Sequence, residues 1–246
     1  MKTDTFTSET IVVNLGDVHL GSNMSSISGV KKVIDFIKKK TDNAVWLSTG
    51  DILDINLKNS KTFDYESMSI DKEIEMFADM FQPIAKKCLG VVGSNHHYRV
   101  AKEIGLDIDR VLCKILSLPF LGHTGFLRII VNGCSYFVCL HHTFGFGRTR
   151  GAKANAAEKL SDVFRGYDLY LTGHSHCFQH LVDVNVILDR KHYRNMHVSA
   201  HTVTTGHFLN YDGSYAERAL LPPAPKGSAI AVLNKHKEIK IDFLEV

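Results

Sequence analysis

The chain of 246 residues contains five prolines and five cysteines. Cys88, Cys113, Cys134, Cys139 and Cys177 form no C-x-x-C pair, which argues against a thiolate zinc site and against a disulfide framework. Free, mostly buried thiols in a reducing compartment are expected instead. No run of apolar residues approaches the length of a membrane-spanning helix, and Met1–Glu9 lacks the hydrophobic region of a signal peptide. A soluble, cytoplasmic protein with no membrane association is therefore expected. Charge of one sign is also lacking, since 29 basic against 26 acidic side chains leave a net +3. That imbalance is too small to imply nucleic-acid binding by itself. No repeat or low-complexity tract is visible.

What the chain does have is histidine, 14 residues of it, with 18 glycines and 44% apolar residues. Those proportions suit one α/β domain over 1–246 with a substantial core. Residues 11–15, 44–49 and 88–92 read as interior strands. Between the first two, Ile27, Val30, Val33, Ile34 and Ile37 form an apolar stripe at helical spacing, with lysines on the other side. Between the second and third, Ile74, Phe77, Met80, Phe81 and Ile84 mark another helix, ending near Pro83. Alternating strands and helices imply parallel pairing through right-handed crossovers.

After a helix over 108–116 the pattern changes. Residues 126–131 and 135–140 flank Asn132-Gly133, a two-residue hairpin signal. A helix over 152–164 and a strand over 168–172 follow. A second hairpin is expected over 181–188 and 191–199, turning at Asp189-Arg190, with closing strands over 229–233 and 238–243. The order gives two packed sheets with helices outside.

Five short clusters sit at the ends of these strands: Asp17-Val18-His19, Gly50-Asp51 with Asp54, Asn95-His96-His97, His141-His142, and Gly173-His174-Ser175-His176. Each alone is ordinary strand-end chemistry, a turn or a cap beside a surface histidine. Together, one folded sheet edge could collect them all. Aspartate and neutral imidazole suit Mn, Fe, Zn, Co or Ni. Residues two apart in an extended segment point the same way, so Asp17 with His19, and His174 with His176, could each serve one ion. Asp51, as a carboxylate, could bridge two.

This ordered set over residues 16–176 resembles the calcineurin-like metallophosphoesterases. The resemblance implies a four-layer α/β/β/α sandwich with two mixed β-sheets, and a dinuclear centre that hydrolyses phosphate esters. It implies a first metal site of Asp17, His19, Asp51 and His176, and a second of Asp51, Asn95, His174 and one of His141 or His142. His141 is preferred because it directly follows the apolar strand, which leaves His142 as an alternative ligand or a support. His96 matches the family's catalytic histidine, and Asp54 takes a supporting catalytic role, orienting His96. The chain departs from the family at Ser94, where a glycine is usual, and at His97, where an acid is usual. Two divalent ions are implied, with Mn the first choice and Fe, Zn, Ni or Co as alternatives.

The substrate is less sharply marked. Arg148, Arg150 and Lys153 follow the histidine pair and could contact a phosphoester substrate, a nucleotide or a nucleic-acid backbone. Phe144 and Phe146 could stack on a base. His201 and His207, and the polar run around Asn59, Lys61, Asp64 and Tyr65, are further candidates for a rim. Phosphodiester hydrolysis is placed ahead of monoester hydrolysis. A nuclease acting on DNA or RNA and a noncatalytic metal-binding interaction scaffold are the alternatives.

Overall fold

The computed structural model describes residues 1–40, 43–55, 68–143 and 147–246. Phe144, Phe146, Asn59, Lys61, Asp64 and Tyr65 lie outside the described residues. The strands, in chain order, are β1 Lys2–Phe6, β2 Thr10–Asn14, β3 Ala44–Ser48, β4 Cys88–Val91, β5 Thr124–Val131, β6 Cys134–His141, β7 Leu169–Thr172, β8 Gln179–Asp189, β9 Arg194–Thr204, β10 Gly227–Leu233 and β11 Ile239–Glu245. The helices are α1 Ile27–Lys39, α2 Ile70–Phe81, α3 Asn95–Ile104, α4 Ile108–Ile115, α5 Arg150–Val163 and α6 Tyr215–Arg218.

The strands form two mixed sheets. One has six strands in the order β1-β5-β6-β7-β9-β8, the other five in the order β11-β10-β2-β3-β4. β2, β3 and β4 pair in parallel, as the alternating strand and helix pattern requires. The Asn132-Gly133 hairpin joins β5 to β6 with both residues at positive φ, 49° and 86°, the conformation of a type I′ turn.

Each layer boundary has its own apolar cluster. Val12, Val45, Leu47, Leu127, Val138, Leu140 and Leu171 fill the space between the sheets. Val30, Val33, Ile34, Ile37, Phe77, Phe81 and Leu112 pack the helices α1, α2 and α4 onto the outer face of the five-stranded sheet. Cys139, Leu160, Tyr170 and Ala200 join α5 to the outer face of the other. The result is the four-layer α/β/β/α sandwich.

Local chemistry sets the element ends. The Ser26 side chain accepts from the Gly29 amide at the start of α1, and Lys38 and Lys39 occupy its last turn, where the helix dipole favours cations. The regular helix α2 stops at Phe81, and the chain continues as a 3-10 segment over Gln82–Lys87 with Pro83 in its first turn. Trp46, the single tryptophan, is fully buried on β3 and donates its indole N–H to the Ile84 carbonyl at 2.7 Å. The second hairpin differs from the expected one. Its strands run to 11 residues each, and the turn falls at residues 190–193 rather than at Asp189-Arg190. All five cysteines are free, and Cys88, Cys113 and Cys139 are buried. No described helix is long and apolar enough to cross a membrane.

Candidate metal centre

The segments leaving β2 and β3 stay zipped together past the sheet. Asp17 donates its amide to the Gly50 carbonyl at 2.9 Å, and the Val18 and His19 amides both reach the Asp51 carbonyl, at 2.8 and 3.0 Å. Close approach explains the glycines. A Cβ on Gly16 would stand 2.5 Å from Thr49 Oγ1, and one on Gly173 would stand 2.6 Å from Asp17 Oδ2. Gly50 has φ +100°, and a Cβ there would meet Ser94 at 2.8 Å.

The price of this tight edge is backbone strain in the functional residues themselves. Asp17, His19, Asp51, His174 and His176 all have φ between 47° and 71°. Left-handed backbone at a non-glycine residue costs on the order of 1–3 kcal/mol, least for Asp, Asn and His. Aspartate and histidine are therefore both the useful ligands and tolerable occupants of these turns.

Among the described residues, three groups of candidate ligand atoms result, each within 4.8 Å of one another: Asp17, His19 and His176; His19, Asp51 and His96; and Asp51, His142 and His174. Asp51 belongs to two of them. The first group joins β2 to the loop after β7, and the third joins β3 to the ends of β6 and β7, so both span the two sheets. Asp17 also accepts the His174 amide with both oxygens, at 2.9 and 3.0 Å. His176 Nε2 lies 3.2 Å from Asp17 Oδ1 and 3.2 Å from His19 Nε2. Facing imidazole nitrogens beside buried carboxylates form an oxygen and nitrogen donor set that fits two divalent cations.

His19 and His142 are each oriented through the other ring nitrogen. His19 Nδ1 pairs with Asp54 Oδ1 at 2.9 Å, and His142 Nδ1 donates to the Thr49 carbonyl at 2.7 Å. Both arrangements leave Nε2 for the centre. Around His142 Nε2 stand Asn95 Oδ1 at 2.7 Å and Asp51 Oδ2 at 3.2 Å.

The structure places His141 and His142 differently. That residue lies on β6 with its Nδ1 at 2.8 Å from the His123 carbonyl and 3.1 Å from Thr124 Oγ1, outside all three groups. His142 is fully buried beside Asp51 and His174. The cause is strand alternation. Tyr136, Val138 and Leu140 point between the sheets, and residue 142 continues that parity whereas residue 141 does not.

Asp54 contacts two of the histidines. Its carboxylate braces His19, and its backbone carbonyl, not its side chain, holds His96 Nδ1 at 2.6 Å. The carboxylate stands 3.8 Å from that same nitrogen. Asn95 and His96 open α3 rather than a loop, and His96 Nε2 stands 4.0 Å from Asp51 Oδ2. Ser94 occupies extended backbone at φ −121°, so this position does not require glycine. His97 turns away into the core. Its Nδ1 lies 2.7 Å from Asp109 Oδ1 and its Nε2 3.3 Å from the Leu53 carbonyl. Asp109 Oδ2 accepts the Ser94 amide at 3.1 Å, so an acid from α4 steadies this turn.

Burial and charge compete at Asp51, His142, His96 and His174. Burial alone would raise the Asp51 carboxyl, but His142 and His96 hold it well below the usual carboxylate range. Burial pulls His142 down, yet the charge of Asp51 and its hydrogen bond push it up to about 9. Burial lowers His96 and His174, each to about 4.

Of the remaining candidates, His207 stacks on His176 with ring centres 4.8 Å apart and planes 8° from parallel. His201 is in register with Leu169, at the far end of β7 from His174, and pairs with His180 at 2.9 Å. Arg148 and Arg150 are exposed, at and just before the start of α5, and Lys153 lies one turn further on. Sequence reasoning missed Asn14, a buried bracket under the centre. Its Nδ2 donates to the Thr172 carbonyl at 3.3 Å and its Oδ1 accepts from Thr49 at 3.0 Å, tying β2 and β3 to β7.

No protein-family model and no curated protein sequence matches the chain. Among solved structures it is similar to the calcineurin-like phosphoesterase YfkN from Bacillus subtilis. The TM-score is 0.50 at 11% identity, over 97% of this chain and 91% of that one. A 5'-nucleotidase precursor from Thermus thermophilus aligns with TM-score 0.49 at 9% identity, over 97% of this chain and 54% of that one. At such identities the likeness is one of fold. The protein has the calcineurin-like phosphoesterase fold, and its strand-end edge carries clustered aspartate and histidine suited to two metal ions.

Proposed function

We propose that this protein is a metal-dependent phosphoesterase, with phosphodiesters ahead of phosphomonoesters as substrates. The observation that carries the reading is Asp51, shared by two of three ligand groups that converge from both sheets. Asp17, His19, Asp51 and His176 are assigned to one ion, and Asp51, Asn95, His142 and His174 to the other. Two divalent cations held there would supply Lewis-acidic charge against phosphate oxygens and would lower the pKa of water toward neutrality. Manganese is the first choice, and Fe, Zn, Ni and Co suit the same donors. Five free thiols fit a reducing compartment such as the cytoplasm.

The chain's own contribution is orientation and proton control. Asp54 and the Thr49 carbonyl fix the rings of His19 and His142. His96 donates Nδ1–H to the Asp54 carbonyl, so its Nε2 is the atom that meets substrate. With its pKa lowered to about 4 by burial, His96 is neutral before substrate arrives. An incoming phosphate brings the negative charge that favours its protonated form, which then stabilises phosphate oxygens or protonates the leaving alkoxide. Arg148 and Arg150 are assigned to substrate contact at the rim.

Hydrolysis of simple phosphodiester and phosphomonoester probes with Mn2+, compared with a His96→Ala variant, tests the reading. Metal-dependent turnover that His96→Ala lowers by about 10²-fold or more is expected. Metal binding without turnover of either probe would remove the reading in favour of a noncatalytic scaffold. Cleavage of labelled single- and double-stranded DNA and RNA over a salt series decides whether the diester is a nucleic acid.

A further inference from the structure

Two of the candidate ligand histidines have a partner on the ring nitrogen that faces away from the centre, Asp54 for His19 and the Thr49 carbonyl for His142. His176 has none there among the described residues. Its polar contacts run through Nε2, to Asp17 Oδ1 and His19 Nε2, and its side chain is 29% exposed. A ring left free to turn loses rotamer freedom when it takes up a cation, which weakens the site unless something fixes the ring beforehand. What meets His176 is the face of His207, parallel to within 8° at 4.8 Å between ring centres.

His207 is held more firmly than the ring it touches, and only 8% of it is exposed. The chain leaves β9 through Thr205, whose amide donates to the Thr172 carbonyl at 3.0 Å and whose hydroxyl donates to the Asn14 carbonyl at 2.9 Å. Gly206 follows because the turn is too close for a side chain, since a Cβ there would stand 2.5 Å from Phe178. Beyond it, the Gly227 amide donates to the His207 carbonyl at 2.8 Å, and the buried Phe208 donates its amide to the Asp17 carbonyl at 3.2 Å. These bonds fix His207 relative to β2 and β7, the strands that deliver Asp17 and His176. The ring itself is oriented by the Leu209 amide, which donates to Nδ1 at 3.1 Å. A nitrogen that accepts a hydrogen bond carries no proton, so His207 is the neutral imidazole with its proton on Nε2.

We infer that His207 is the positioning residue of His176, and that it acts through its π face rather than through a hydrogen bond. The inference rests on the assignment of His176 to a metal ion made above. Parallel rings at this separation form an offset stack. A divalent cation on Nε2 would draw electron density out of the His176 ring, and the negative face of a neutral imidazole attracts an electron-poor ring more strongly than an electron-rich one. The stack is therefore tighter with the ion bound than without it, and a contact that strengthens on binding raises affinity. The imidazolium form of His207 would repel the cation instead, and the Leu209 amide excludes that form.

Titration of the metal-free full chain with Zn2+, followed by calorimetry and by NMR of the histidine rings, tests this. The wild type is expected to bind two equivalents. His207→Leu should bind one of them about 10-fold more weakly and the other within about threefold of the wild type. His207→Phe keeps an aromatic face and should restore the weakened equivalent to within about threefold. Both substitutions remove the acceptor of the Leu209 amide, so any fall in melting temperature that they share cancels from the comparison. His180→Leu breaks a stack of the same kind with His201, at 5.2 Å and 12°, away from the ligand groups, and should leave both affinities unchanged. In the wild type, where no variant has to fold, the ring protons of His207 should shift as Zn2+ is added while those of His201 stay still. Unchanged affinity in His207→Leu, equal weakening in the Leu and Phe variants, or His207 resonances that do not move would each overturn the proposal and leave the metal assignment standing. A wild-type chain that binds no Zn2+ would remove that assignment and this inference with it.

Discussion

His19 and His142 sit on opposite sides of the same metal-ligand cluster, and each keeps Nε2 turned toward it, but they are held by different chemistry. The brace on His19 is a carboxylate, Asp54, which titrates and can be removed by one substitution. The brace on His142 is the Thr49 carbonyl, which does neither. The first group is thus adjustable from a side chain. The second is fixed by the path of β3 itself, since Thr49 lies between Ser48 at the end of that strand and Asp51. Asp51 makes the two halves one unit.

The largest effect is expected where the halves are joined. Asp51→Ala should lose both metal equivalents, measured by elemental analysis, and lower kcat by about 10³-fold or more. Retention of one full equivalent would show that the halves are independent. Next comes the histidine pair on β6. His142→Ala should remove one equivalent and cost about 10²-fold in kcat/KM, while His141→Ala should stay within about threefold. The opposite ranking would assign His141, not His142, to the centre.

A smaller effect separates the braces. Asp54→Asn should weaken metal affinity by about 10- to 100-fold in the half that contains His19, leaving the other half's affinity within about threefold. Equal losses in both, read by competition with a chelating dye, would mean that Asp54 acts through Asp51 or His96.

The smallest effect is on pH. In the metal-free protein His142 titrates at about 9, above the 6.5 of the unfolded chain, because Asp51 outweighs burial. Its contribution to stability is therefore fully present below pH 6.5 and lost as pH rises through about 9. The metal-stripped protein should lose a few degrees of melting temperature across that window. Metal binding runs the other way, since the ligand nitrogen must give up its proton, so affinity should rise with pH and calorimetry in two buffers should detect proton release. Metal affinity independent of pH from 6.5 to 9 would contradict the assignment.

Much of this arrangement was legible in the sequence. β2, β3 and β4, the α1 stripe and the Asn132-Gly133 turn follow from local periodicity and turn chemistry, and the strand-end clusters mark the edge. Parity was legible too, because Val138, Leu140 and His142 share it, but proximity to the strand end suggested His141. Other features depend on tertiary contacts with no local signature. α3 begins at Asn95 in a polar stretch, and nothing near His97 announces Asp109, which comes from the next helix. Asn14 reads as the last residue of an apolar strand, and its bond to Thr172 spans 158 residues of sequence.

Trp46 gives the molecule a built-in optical reporter. The lone indole is sealed against Phe81 at 5.4 Å between ring centres, and it shares β3 with the turn that presents Asp51. Its emission should be blue-shifted while the helix layer is docked and move to the red only when that layer opens. Being on the helix side of the sheet, it should remain quiet when cations enter between the sheets. A single intrinsic fluorophore can therefore follow unfolding of the sandwich separately from the filling of its edge.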